Sequence, residues 1–156
     1  MQDVPLDIRQ TNDSGFVITG TSNSFGMQGN YDVYLIRTDK NGDTLFTKTY
    51  GSALNETGWS GQQTSDGGFI VAGNWGSSGY SYLIRTNNVG DTLWTKISIV
   101  GICYSVIQNA DKGFTVCGTG GTPQATSKDL FLFRTDSMGN MLWYKSYGGA
   151  DLDHGK

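Results

Sequence analysis

Side chains able to do chemistry are scarce in this chain of 156 residues. There is one histidine, His154, close to the last position, and one glutamate, Glu56. That inventory leaves no basis for a histidine-based triad or a histidine-rich metal site within one chain. Nearly all the aspartates fall where turns or strand starts are expected. A carboxylate pair for glycoside hydrolysis would have to form across loops, and no particular pair stands out. The run Asp39-Lys40-Asn41-Gly42-Asp43 has the oxygen-rich look of a calcium loop. Its counterparts read Asn87-Asn88-Val89-Gly90-Asp91 and Asp136-Ser137-Met138-Gly139-Asn140, neither with the full carboxylate set, and no glutamate stands at the twelfth loop position. A hairpin turn accounts for all three, so no metal is expected there. The glycines punctuate hairpins and do not open a helix, which leaves no phosphate cradle and no expected cofactor.

Two basic rows repeat: Arg37, Arg85 and Arg134 share one slot, and Lys48, Lys96 and Lys145 share another. Such rows could bind an anionic polymer. The expectation is instead that these side chains snorkel over a sheet edge and pair with nearby turn aspartates. The formal charge of −3 argues against a nucleic-acid or anionic-membrane partner. No run approaches the roughly 18 apolar residues of a membrane-spanning helix. Met1 to Pro5 has no basic and apolar signal-peptide pattern. Cys103 and Cys117 are expected to be free structural thiols, with Cys117 in a small buried slot shared with Thr19 and Ala72.

The elements that must position these residues come in three copies. Gly68-Phe69-Ile70-Val71-Ala72-Gly73 matches Gly15 to Gly20 and Gly113 to Gly118. Leu83 to Thr86 matches Leu35 to Thr38 and Leu132 to Thr135, while Gly90 to Trp94 matches Gly42 to Phe46 and Gly139 to Trp143. The arginines recur 48 and 49 residues apart, but the glycines before the phenylalanine recur at 53 and 45, so the slack lies in loops. A period of this kind marks one supersecondary unit that cannot bury its own faces alone. With 23 glycines, 2 prolines and 12% aromatics, short strands with tight turns are the expected elements. In the second copy they read as Thr57–Ser65, Gly68–Asn74, Tyr80–Thr86 and Asp91–Ile97. Four antiparallel strands in meander order follow in each repeat, over approximately 3–50, 51–99 and 100–147, with 148–156 starting a next copy or forming a docking tail.

The second and third strands are apolar on both faces, as in Phe69 to Ala72 and in Leu83 with Ile84. A sheet with one wet face would alternate strictly, so each sheet is expected to be covered on both sides by its neighbours. The fold class is therefore all-β, with β-propeller blades as the reading and a β-trefoil as the alternative. A three-sided prism, which leaves one face of each sheet wet, fits the doubly apolar strands less well.

The phrase Asp-Gly-Gly-Phe-Ile-Val-Ala-Gly, followed by Tyr-Leu-Ile-Arg-Thr and Gly-Asp-Thr-Leu-Trp, resembles the blade repeats of secreted bacterial β-propeller proteins. It is similar, more loosely, to SBBP-type and quinoprotein-type blades. The resemblance implies an extracellular or periplasmic scaffold or binding module. It carries no cofactor over, since no cofactor residues are matched. Those proteins normally have more blades than three. Since propellers typically need at least four, this chain is expected to self-associate into a closed ring, as a homodimer with six blades.

In a meander, the connections between second and third strands emerge on the same end as those between repeats. There the loops Thr21–Asn30, Trp75–Gly79 and Thr119–Lys128 vary in length and content, whereas the opposite end carries uniform turns. Phe25, Met27, Trp75 and Tyr80 lie among polar amides and hydroxyls in or beside these loops. Variable loops on a rigid frame are where binding usually resides. Phe25, Trp75 and Tyr80 are the candidate ligand-binding residues, for a glycan or a peptide, in a non-enzymatic binding or scaffold module. The alternative is a glycan-active hydrolase or lyase using the same loop end.

Overall fold

A computed structural model describes residues 1–25, 29–76, 79–98, 101–120 and 128–148 of the chain. Met27, most of the third variable loop, and the tail from residue 149 on, with His154, lie outside them. The first repeat supplies β1 (Asp3–Gln10), β2 (Phe16–Ser22), β3 (Asp32–Thr38) and β4 (Thr44–Tyr50). The second supplies β5 (Glu56–Gln63), β6 (Phe69–Trp75), β7 (Tyr80–Thr86) and β8 (Thr92–Ser98). The third supplies β9 (Ile102–Gln108), β10 (Phe114–Gly120), β11 (Asp129–Thr135) and β12 (Met141–Tyr147). Each set forms its own four-stranded antiparallel sheet in meander order. Strand pairing stays within a repeat, whereas a trefoil barrel would pair strands across repeats.

Local chemistry fixes the turns. Asp39 Oδ1 accepts the amides of Asn41 and Asp43 at 2.8 and 2.9 Å. Asn87 Oδ1 does the same for Val89 and Asp91, and Asp136 Oδ1 for Met138 and Asn140. An amide oxygen serves as well as a carboxylate in this role, so the oxygen-rich run at Asp39 is explained as a side-chain-capped hairpin. The glycine that closes each loop, Gly42, Gly90 and Gly139, has a φ of 89°, 83° and 77°.

The sheets stack face to face in chain order. Val17, Val33 and Leu35 of the first sheet meet Phe69, Val71, Tyr82 and Ile84 of the second. On its other side the second sheet presents Ile70, Ala72 and Leu83 to Val106, Phe114, Val116, Phe131 and Phe133 of the third. The central sheet is thus buried on both faces, as its doubly apolar strands require. The outer sheets are not. Ile18 and Ile36 of the first sheet, and Cys117 and Leu132 of the third, are only half-buried, because among the described residues no sheet packs on the faces they occupy. Cys117 therefore departs from the expected buried slot, whereas Cys103 is fully buried; both thiols are free. Burial pushes the Cys103 thiol up to about 12, which leaves it inert as a nucleophile.

The arginine row is drawn inward more than snorkelling implies. Arg37 and Arg85 have side chains only 5% and 7% exposed, and their guanidinium tips reach Asp13 and Asp66 at the turn before the second strand. Arg134 pairs with Asp111 in the same way at 2.5 Å, with its side chain 31% exposed on the uncovered face of the third sheet.

Candidate functional site

Among the described residues, the β2–β3 and β6–β7 connections lie at the same end as the segment between the first two repeats, with Asn30 and Gly76 both beside its residues Ala53 and Leu54. Asn30 Nδ2 donates to the Ala53 carbonyl at 2.7 Å, the Tyr31 amide donates to Asn55 Oδ1 at 3.0 Å, and the Glu56 amide donates to the Tyr31 carbonyl at 2.6 Å. These bonds lace the β2–β3 loop onto the segment leading into β5.

Trp75 ends β6 and Tyr80 opens β7, directly opposite one another in register. Their ring centroids are 6.0 Å apart with the planes inclined at 58°. Both are half-buried, and Trp75 packs on the apolar core between the first and second sheets. Two aromatics at the end of a rigid joint, edged by amides and hydroxyls, offer a platform for the apolar face of a sugar or a peptide side chain. Phe25 does not join them. It is 62% exposed and lies 5.4 Å from Tyr34, on the uncovered face of the first sheet. Of the three candidate residues, two form a pair and the third stands apart.

Beneath the pair lies a feature the sequence did not single out. Glu56, in register opposite Trp75, has no exposed surface. Its Oε2 accepts the Ser52 amide at 3.0 Å and its Oε1 accepts the Ser52 hydroxyl at 2.7 Å. Asp32, 7% exposed, lies beside it: both carboxylates crowd the backbone of Gly51, where an added Cβ would collide with each. Asp32 Oδ1 is buried and has no hydrogen-bond partner. Burial, reinforced by the Glu56 charge, raises the Asp32 pKa. Burial and the same two carboxylates also raise that of Tyr82. The pair forms from two different repeats, one carboxylate at the start of β3 and one at the start of β5, so only the stacking of sheets reveals it. Its chemical capacity is to hold a proton inside the joint. Glu56 is sealed from solvent, so the pair as placed does not meet a substrate.

No protein-family model matches the chain, and no curated protein sequence matches it. What the fold defines is an all-β repeat protein of three four-stranded antiparallel sheets packed face to face. Among the described residues no helix is long and apolar enough to cross a membrane.

Proposed function

We propose that this chain is a non-enzymatic binding or scaffold module whose sheets are β-propeller blades, and that it holds a glycan or peptide at its variable-loop end. The observation that carries the reading is the Trp75–Tyr80 pair, half-buried yet set at the loop end of a joint made rigid by the core beneath it. Meander sheets stacked face to face support the blade assignment. The resemblance to secreted bacterial blade repeats supports placement outside the cytoplasm.

The test is a glycan and peptide array followed by titration of any hit against intrinsic tryptophan fluorescence. Trp75→Ala and Tyr80→Ala should each weaken binding at least tenfold, with Phe25→Ala, on a different face, leaving it unchanged. Binding that survives both loop-end substitutions would overturn the assignment of the site.

A further inference from the structure

Each joint between sheets is built from the same set of links. At the outer strands, Lys48 Nζ of the first sheet meets Asp91 Oδ1 of the second at 3.0 Å. Lys96 Nζ of the second meets Asn140 Oδ1 of the third at 3.1 Å. Phe46 sets its ring edge-on to Phe69 across the first joint, centroids 5.8 Å apart at 73°. Trp94 does the same to Phe114 across the second, at 5.9 Å and 67°. At the inner strands, the Asn12 amide donates to Gln63 Oε1 at 2.9 Å, and the Ser65 amide to Gln108 Oε1 at 2.8 Å. In every case the sheet earlier in the chain supplies the lysine, the outer-strand aromatic and the turn amide. The later sheet supplies the turn acceptor, the phenylalanine and the glutamine.

The two uncovered faces hold the unused halves of these links. The third sheet carries Lys145, Trp143 and the Ala110 amide in the slots of Lys48, Phe46 and Asn12. Lys145 is exposed and in no ion pair among the described residues, and Trp143 is 38% exposed. The first sheet carries Asp43, Phe16 and Gln10 in the slots of Asp91, Phe69 and Gln63. Asp43 and Gln10 are exposed, and Phe16 is half-buried, whereas Phe69 and Phe114 are 1% exposed. On the same uncovered face, toward the loop end, lies a mostly apolar cleft of about 270 Å³ lined by Val4, Pro5, Ile18, Tyr34 and Ile36, with Asp3 at its border. The two faces differ from one another, but each matches the partner of the other.

We propose that these faces are the two halves of one more joint, and that a second copy of this chain fills them head to tail. Lys145 of one copy pairs with Asp43 of the other, Trp143 sets its edge against Phe16, and the Ala110 amide donates to Gln10. A second copy is the occupant that fits, because both interior joints show this surface accepting a sheet with that lysine, that aromatic and that amide. A contact of unlike faces leaves one face of each copy still open, so the assembly must close to end. Two copies bring six sheets together, within the range of blades that close a propeller. The inference rests on the blade half of the function proposed above and is independent of any loop-end ligand.

Charge reversal tests it without disturbing the fold, since among the described residues the Lys145 and Asp43 side chains make no hydrogen bond or ion pair within their own sheet. In sedimentation velocity over low to high micromolar concentrations, the wild-type chain should form a dimer. Lys145→Glu alone sets Glu against Asp43 and should weaken the dimer about tenfold or more. Asp43→Lys alone sets Lys against Lys145 and should do the same. An equimolar mixture of the two variants should recover the dimer, because one joint then pairs Glu with Lys and the other keeps the native pair. The chain carrying both changes should recover it too. A wild-type chain that stays monomeric throughout, or single variants whose mixture gains nothing, would overturn the proposal. Trp75→Ala serves as the control that separates the two readings: it should leave the dimer intact while removing ligand binding.

Discussion

Arg85 and Asp66 meet as a two-pronged ion pair, with Arg85 Nη2 2.6 Å from each carboxylate oxygen. The guanidinium lies almost wholly inside the joint between the second and third sheets, while the carboxylate is 61% exposed at the turn. Arg85 also donates to the Phe69 and Thr86 carbonyls, so one side chain ties three points of the sheet together. Arg37 and Asp13 repeat the arrangement in the first sheet. This accounts for two distant parts of the repeated phrase, the Asp before the glycine and the Arg of Leu-Ile-Arg-Thr. Asp66→Asn keeps the shape but removes the charge that faces a buried guanidinium. Breaking a fully buried pair costs about 3–5 kcal/mol. The exposed carboxylate reduces this to about 1–2 kcal/mol, readable in chemical denaturation. Asp39→Asn, in a turn where an amide performs equally well in the second repeat, should cost less than about 0.5 kcal/mol.

The same pairs set the response to acid. Asp13 is lowered to about 2, first by the Thr11 hydroxyl and then by the Gly15 amide and Arg37, against the opposing effect of burial. Asp66 is lowered by the Thr64 hydroxyl, the Gly68 amide and Arg85. Asp111 is lowered by Arg134 and the Gly113 amide. A carboxylate whose pKa is lower folded than unfolded binds more protons when unfolded. Its stabilisation is therefore present above the ordinary value near 3.8 and is lost as pH falls through the folded value. Melting temperature should be flat from neutral down to about pH 5 and fall steeply between about 4 and 2. In Asp66→Asn that fall should be shallower. An unchanged slope would show that these turns do not govern acid unfolding.

Asp32 has the opposite sign. Its raised pKa means that the folded state holds the proton more tightly than the unfolded chain does. Ionised Asp32 therefore costs stability at neutral pH, and the cost disappears as pH falls through the raised value. Asp32→Asn removes the buried charge beside Glu56 and should stabilise the chain by about 1 kcal/mol at pH 7. The advantage should shrink as pH falls and be gone below the ordinary carboxylate value of 3.8. A variant less stable than wild type at pH 7 would mean that the Asp32 carboxylate is held by an attraction stronger than its burial cost.

Residues within one repeat were legible in the sequence, and residues that meet across repeats were not. The strand Tyr80–Thr86 has the expected bounds, and the hairpins at Asp39, Asn87 and Asp136 follow from side-chain capping that any copy shows alone. Apolar strand faces announced that a cover was needed, but not which faces have one in a single chain. Hence Ile70 is buried as expected while Cys117 is half-exposed. The Asp32–Glu56 pair and the separation of Phe25 from Trp75 depend on the order in which sheets stack, which no local pattern encodes.

One glycine in each repeat owes its place to space and not to backbone angle. Gly20, Gly73 and Gly118 sit in the middle of the second strand, where the first strand shifts register. A Cβ on Gly73 would run into the Thr57 carbonyl oxygen, one on Gly20 into that of Val4, and one on Gly118 into that of Ile102. A backbone carbonyl cannot swing aside as a side chain tip can, so the strands would have to part. Gly73→Ala lies in the central sheet, with a neighbour packed on both faces, and should cost about 1–3 kcal/mol or more. For a chain of this size that lowers the melting temperature by roughly 3–10 °C. Gly42 provides the contrast. Its φ of 89° is left-handed, but a Cβ there would meet nothing within 4 Å. Asparagine tolerates that region, so Gly42→Asn should cost under about 1 kcal/mol. Equal losses in the two variants would remove close strand approach as the reason for the repeated glycine.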